Sequence, residues 1–395
     1  MLTIKTYFST ALLVFGLLTL NGCSSVTGLK DTISDKVFGR EDPNAPTALE
    51  EIKPTVQANI VWQIKVGKAE NFEFSPKVQA GHVFAASTEG FLEAVDEATG
   101  KSKWKLNVGE PLSGGVGAGG GLVFVGTLRG AIYAYSIEGV FKWKAQLSSE
   151  VLSPPEYFDG FVIVRTGDSK IYGIDAIDGM RKWVYDRTGP ALVLRSSAGL
   201  VVDGGAVYAG FAGGKLIAVR ADNGKLLWEA AVALPKGVTE IERIADITSL
   251  PVVDGPVVYA VAYQGRIAAV DRRTGKVLWN RDISSLNGLS IEDERIYLTH
   301  ASDSVYSLDL EKGKSFWRQG TMTNRHLSTP LPMGQWIALG DVEGYVHFLN
   351  RDTGAIEGRI KVASSPLMPK MSLIDDATLV VQSRDGEVIA VKLNK

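Results

Sequence analysis

The sequence predicts an all-β protein, an eight-bladed β-propeller whose blades are marked by tryptophan. Three observations predict it. One short pattern recurs eight times, with intervals of 38 to 51 residues, close to the roughly 40–50 residues of a propeller blade. Each copy joins short apolar-alternating strands through turns rich in Gly, Asn and Asp, with no helical period between them. Most copies then end on a tryptophan, at Trp62, Trp104, Trp143, Trp183, Trp228, Trp279 and Trp317.

The strands before the marker turn centre on residues 92–95, 132–135, 171–174, 216–219, 267–270, 305–308, 346–349 and 388–391. Their last residues lie 40, 39, 45, 51, 38, 41 and 42 apart. One unit shows the local logic. Residues 200–202 reach a Gly204–Gly205 turn, and 206–211 form a second strand. Gly213 and Gly214 turn the chain into 215–219, Asp222 to Lys225 turn it again, and 226–231 close the unit. Glycine and asparagine supply the positive φ that such two-residue turns need. The 43 glycines of the chain suit a fold with that many corners.

The ends of the repeat array do not match. Trp62 stands in a last-type strand with no unit before it, and the final unit stops after 388–393 with no strand beyond. The segment near 60–66 is therefore expected to complete the blade formed near 370–393, closing the ring without an open edge. The propeller is assigned to residues 59–395. Each marker ring is expected to pack on the neighbouring blade beside a turn glycine. Gly358 stands in the eighth marker place, so that blade must meet its neighbour differently. Trp336 lies outside the series.

Residues 1–22 read as a signal peptide: Lys5 gives a positive start, and an apolar run from Ala11 to Leu20 is too short to span a bilayer comfortably. The run ends Leu20, Asn21, Gly22, Cys23, and Cys23 is the single cysteine. This resembles a bacterial lipoprotein box, in which the cysteine is cleaved free and lipidated. Ser24 and Ser25 follow it, and sorting rules of that kind imply the outer membrane. Residues 23–58 read as a lipidated, flexible tether, with Pro43 and Pro46 arguing against regular structure.

The formal net charge of −2 offers no basic field for nucleic acid. His82, His300, His326 and His347 fall in different repeats without ligand spacing, so no metal site is expected. The glycine cluster from Gly114 to Gly121 lacks the Gly-Lys-Ser/Thr ending of a phosphate loop and reads as an interblade loop and turn. No catalytic or cofactor-binding residue is singled out, and no cofactor is expected.

The tryptophan-marked blade resembles the repeat of the quinoprotein alcohol dehydrogenases. Those enzymes resemble one another in an adjacent-cysteine disulfide, for which this chain has no cysteine. An enzyme holding a quinone or sugar ligand with Ca²⁺ in the central channel is the rival expectation.

A closer resemblance, over nearly the whole chain, is to the BamB family of lipoproteins of the outer-membrane β-barrel assembly machinery. It implies a non-catalytic scaffold at the periplasmic face of the outer membrane. The implied partners are the POTRA domains of the central barrel subunit BamA, the wider complex and the membrane through the lipid. Unfolded barrel substrates could add as strands at blade edges.

Two irregular loops lie where the repeat lengthens. One spans 188–195, the other 234–247. They belong to neighbouring blades and can form one patch. Length variation in a scaffold often falls in functional loops. The family's partner-binding motif is similar to Leu192, Leu194 and Arg195. Its second element is an aspartate pair, of which Asp246 matches the first and Thr248 replaces the second. That departure weakens the acidic half of the interface, so replacing Asp246 is expected to matter less. The residues alone leave two readings of the leucines, blade core or binding anchor. The resemblance favours binding.

Overall fold

A computed structural model describes residues 42–190 and 192–394. The chain divides into a unit Met1–Ala45, of which 42–45 are described, and a compact unit Pro46–Lys395. Cys23, the signal peptide and the first part of the tether lie outside the described residues.

The described residues form eight four-stranded antiparallel sheets and no helix. Blade 1 runs from Lys77–Gln79 to Ser102–Asn107 and blade 2 from Leu112–Gly119 to Phe141–Gln146. Blade 3 spans Glu156–Phe158 to Arg181–Asp186, and blade 4 Leu200–Asp203 to Leu226–Ala231. Blades 5, 6 and 7 begin at Val252–Asp254, Leu289–Glu292 and Leu331–Met333 and end at Val277–Arg281, Ser315–Gln319 and Ile356–Lys361. First strands of neighbouring blades lie against one another around the axis. This is the eight-bladed all-β propeller read from the repeat.

The second and third strands of each blade are buried on both faces, which is why they read as nearly continuous Val, Ile, Ala and Tyr runs. The fourth strands alternate exposed and buried residues, as outer strands do. Blade 8 takes its first three strands from the C-terminus. Its fourth is Gln57–Lys65, antiparallel to Glu387–Asn394, with Gln57 opposite Asn394 and Lys65 opposite Glu387.

The marker tryptophans stitch the blades together. The indole N–H of Trp62, Trp104, Trp143, Trp183, Trp228, Trp279 and Trp317 each donates to a backbone carbonyl of the next blade, at 2.7–3.0 Å. Each ring also covers a glycine in the last turn of that blade: Gly100, Gly139, Gly179, Gly224, Gly275, Gly313 and Gly354, in the same order. A Cβ at any of these would fall 2.5–2.9 Å from the ring, and their φ of +63 to +82° is costly for other residues.

Gly358 has a structural reason. A tryptophan there would need the last turn of blade 8, but in that blade the third and fourth strands are opposite ends of the chain and no turn joins them. The incoming chain fills the place instead. A Cβ on Gly358 would lie 2.7 Å from both Val56 Cγ1 and Val56 O.

The end of the expected tether is bonded to blade 7. Thr55 N–H donates to Glu357 O at 2.9 Å, and Thr47 N–H to Thr323 O at 3.0 Å. Arg359 Nη2 donates to Glu50 O at 2.7 Å. Arg325, 1% exposed, donates from Nη1 to Thr47 O at 2.7 Å. Its Nε and Nη2 meet Asp341 Oδ2 at 2.9 and 2.6 Å. Burial pushes the Asp341 carboxyl up, but His347, the Tyr345 N–H and Arg325 outweigh it and hold it below its ordinary value. His347 is fully buried, with Nε2 2.8 Å from Asp341 Oδ2 and Nδ1 without a partner. Residues 47–56 are thus bonded to the propeller, within the segment that the sequence reading assigned to the tether up to residue 58.

A second correction concerns the glycine cluster. Gly114, Gly115, Gly117 and Gly119 lie in the first strand of blade 2, Leu112–Gly119, and only Gly120 and Gly121 form a turn. Small residues there admit blade 3: a Cβ on Gly117 would lie 2.0 Å from Pro155 O.

Candidate docking face

The two long loops both connect the outer strand of one blade to the inner strand of the next. Connections of that kind leave the ring on one face, together with the turns between second and third strands. The first loop joins blades 3 and 4, the second blades 4 and 5.

Asp246 brings the loops together. Its Oδ2 accepts the Leu194 N–H at 2.7 Å, and its Oδ1 accepts the Gly213 N–H at 2.9 Å. Asp246 is 4% exposed, so this carboxylate acts within the fold, as a bracket for the first loop.

The bracketed segment faces outward. Leu192 is 44% exposed and Val193 is exposed beside it. Leu194 is half-buried, its backbone fixed by Asp246. The Arg195 side chain is 60% exposed, with Glu150 Oε1 3.9 Å from its Nε and the Phe72 ring 5.7 Å from its guanidinium carbon. These are weak restraints on a long side chain. The second loop adds exposed Leu234, Val238 and Ile241. Its tip is held by Glu242, which accepts the N–H groups of Val238 and Thr239.

Thr248 does not sit beside Asp246 on the surface. It is 8% exposed, and its hydroxyl donates to Leu286 O at 2.9 Å. Neither Asp246 nor Thr248 presents its side chain outward. The five sequence-selected residues therefore divide: Leu192, Leu194 and Arg195 form the presented segment, Asp246 holds it, and Thr248 ties its loop to the blade 5–6 connection. Cys23 lies outside the described residues.

Sequence reasoning missed Arg165. It ends the second strand of blade 3, Phe161–Arg165, and lines a cleft of about 200 Å³ together with Leu194, Arg195 and Asp246. Aligned repeats hold the signal. The other seven blades place Ala86, Gly126, Gly210, Val261, Thr299, Gly340 and Gln382 there, and only blade 3 places a charge.

No group of three or more His, Cys, Asp or Glu among the described residues could hold a metal ion. The axial channel, of about 520 Å³, is walled by residues such as Val116, Leu250 and Leu289. Burial raises Glu156 and lowers Lys370 on its wall.

The family described as outer membrane protein assembly factor BamB matches residues 88–319. The chain belongs to the BamB family. It is 38% identical over 344 residues to the BamB of Burkholderia pseudomallei, covering 87% of this chain and 90% of the relative. With the BamB of Nitrosomonas eutropha it shares 36% over 384 residues, 95% and 93% of the two chains. The crystal structure of BamB from Moraxella catarrhalis superposes with a TM-score of 0.78 at 27% identity, covering 85% of this chain and all of that one. A quinohemoprotein alcohol dehydrogenase from Comamonas testosteroni is 14% identical with a TM-score of 0.68, covering 85% of this chain and 76% of that one, a likeness of fold alone.

Proposed function

We propose that the protein is a non-catalytic scaffold lipoprotein of outer-membrane β-barrel assembly. It is anchored through Cys23 at the periplasmic face of the outer membrane and docks the POTRA domains of the central barrel subunit. The observation that carries this reading is the bracketed loop: Asp246 fixes the Leu194 backbone while Leu192, Val193 and Arg195 remain exposed. Apolar anchors beside an exposed, weakly held guanidinium on a preorganised backbone are what a binding hot spot requires. The BamB relatives are named assembly factors, which supports the same role.

Unfolded barrel substrates could add to the outer edges of the blades. Residues 47–56 already bond along blade 7, so augmentation would use other edges. Affinity capture of the C-terminally tagged full chain from solubilised outer membranes tests the assignment. The central barrel subunit should be recovered in near-stoichiometric amount, and its absence would contradict the assignment.

A further inference from the structure

The turn at the end of the second strand of blade 3 holds a cation that no carboxylate of the described residues touches. The Arg165 guanidinium lies over the Phe211 ring of blade 4, 4.7 Å from its centroid, and Nη1 donates to Ala198 O at 2.6 Å. No carboxylate oxygen of the described residues comes within 4.0 Å of its nitrogens. Asp246 is the one acid whose charge supports it, and both Asp246 oxygens already accept backbone N–H groups. Burial pulls the guanidinium down to about 10.

A guanidinium has five N–H donors in a fixed fork. The remaining donors of Arg165 border the cleft, whose lining adds Ser153, Ser169 and Ser196, and Arg195 stands at its rim. Glu150 also lines it, but its carboxylate is held by the Ser149 hydroxyl at 2.6 Å and reaches only Arg195. Arg165 is half-buried, with Asp246 near enough to act on its charge but bonded elsewhere, and a planar carboxylate matches the open fork in two parallel bonds.

We propose that this cleft receives an aspartate or glutamate side chain of the docked polypeptide, with Arg165 as a specificity-determining residue and Arg195 closing over the carboxylate. The proposal rests on the docking reading given above. Docking places one acidic side chain against Arg165 while the apolar residues of the 192–194 loop bury the backbone around it. Arg195 then exchanges Glu150 for the incoming group.

The test measures affinity of the full-length chain for the purified central barrel subunit in detergent, with Arg165→Met, Arg165→Lys and Leu194→Asp. Arg165→Met should weaken binding roughly thirtyfold or more, the effect of stripping one partner from a buried charge pair, with Arg165→Lys in between. Arg165→Glu should be rescued by a single Asp or Glu to Arg exchange among those scanned across the POTRA domains. Wild-type affinity for Arg165→Met alongside lost binding for Leu194→Asp overturns the carboxylate site and leaves docking intact. Wild-type affinity for both overturns docking. Should Arg165→Met fail to fold, the wild-type chain is measured against single Asp→Asn and Glu→Gln exchanges in the POTRA domains. One position should reproduce the loss, and no effect at any position overturns the proposal.

Discussion

The Leu194 N–H is bonded to Asp246 Oδ2 at 2.7 Å, across 52 positions of sequence and between two different interblade loops. The same carboxylate holds the Gly213 N–H. One buried side chain therefore fixes the loop that carries Leu192 and Arg195 to the turn of blade 4.

Asp246→Ala should remove both bonds and leave two backbone donors to find water. Each orphaned buried group costs roughly 1–3 kcal/mol. Urea unfolding should register a loss of that order, and the Leu194 amide should lose its hydrogen-exchange protection. Because this bracket acts inside the fold, its loss should weaken partner binding substantially. That reverses the smaller effect expected from sequence, where Asp246 was taken as half of a surface acidic pair.

The tryptophan docks are open to a paired comparison. Gly275→Ala places a methyl 2.8 Å from the Trp228 ring at φ +71°. Gly255→Ala meets nothing within 4 Å, at φ +51°. Both introduce left-handed strain of about 1–2 kcal/mol, but only the first must also shift a packed ring. Thermal denaturation should place Gly275→Ala clearly below Gly255→Ala, and equal stabilities would remove the proposed role of the turn glycine. Trp183→Ala, at a marker ring only 8% exposed, should cost about 3–5 kcal/mol.

Gly358→Trp restores the repeat consensus and should nevertheless destabilise. Its side chain must pass Val56, whose carbonyl and methyl already stand 2.7 Å from the Cβ position. Residues 47–56 should come away from blade 7 and become sensitive to limited proteolysis. A stabilised variant with that segment still protected would show that the marker place had room.

Stability should fall on acidification through the buried cluster of blade 7. Burial, partly opposed by Asp341, lowers the His347 pKa below its ordinary 6.5. The unfolded chain therefore binds the proton first, and stability present above pH 6.5 is lost as pH falls from there through the folded value. Asp341, also held low, adds a second loss below its ordinary 3.8. Denaturation midpoints measured from pH 7.5 to 5 should decline, and His347→Gln should flatten that part of the curve.

The blades were legible because each repeats the same physics: alternating strands, glycine corners and one indole per unit. The Gly358 exception was visible, but its cause was not, since the missing turn exists only once Gln57–Lys65 pairs with Glu387–Asn394. The glycine cluster of blade 2 was read as an interblade loop and turn from its place in the repeat, and glycine carries little strand signal of its own. In the fold, close approach by Pro155 and Tyr157 requires it. At the candidate face, loop length pointed to the segments 188–195 and 234–247, and the family resemblance picked out Leu192, Leu194 and Arg195 within the first. The same resemblance picked out Asp246 as half of an aspartate pair, but its inward direction depends on the Leu194 and Gly213 amides, which spacing cannot reveal. Arg165 needed the eight repeats aligned column by column.

The most direct measurement compares co-purification of the central barrel subunit with wild-type, Leu194→Asp and Arg195→Glu chains from solubilised membranes, with circular dichroism of each. Both variants should keep the wild-type β spectrum and lose the barrel subunit. Undiminished recovery of that subunit by both folded variants would contradict docking through this loop.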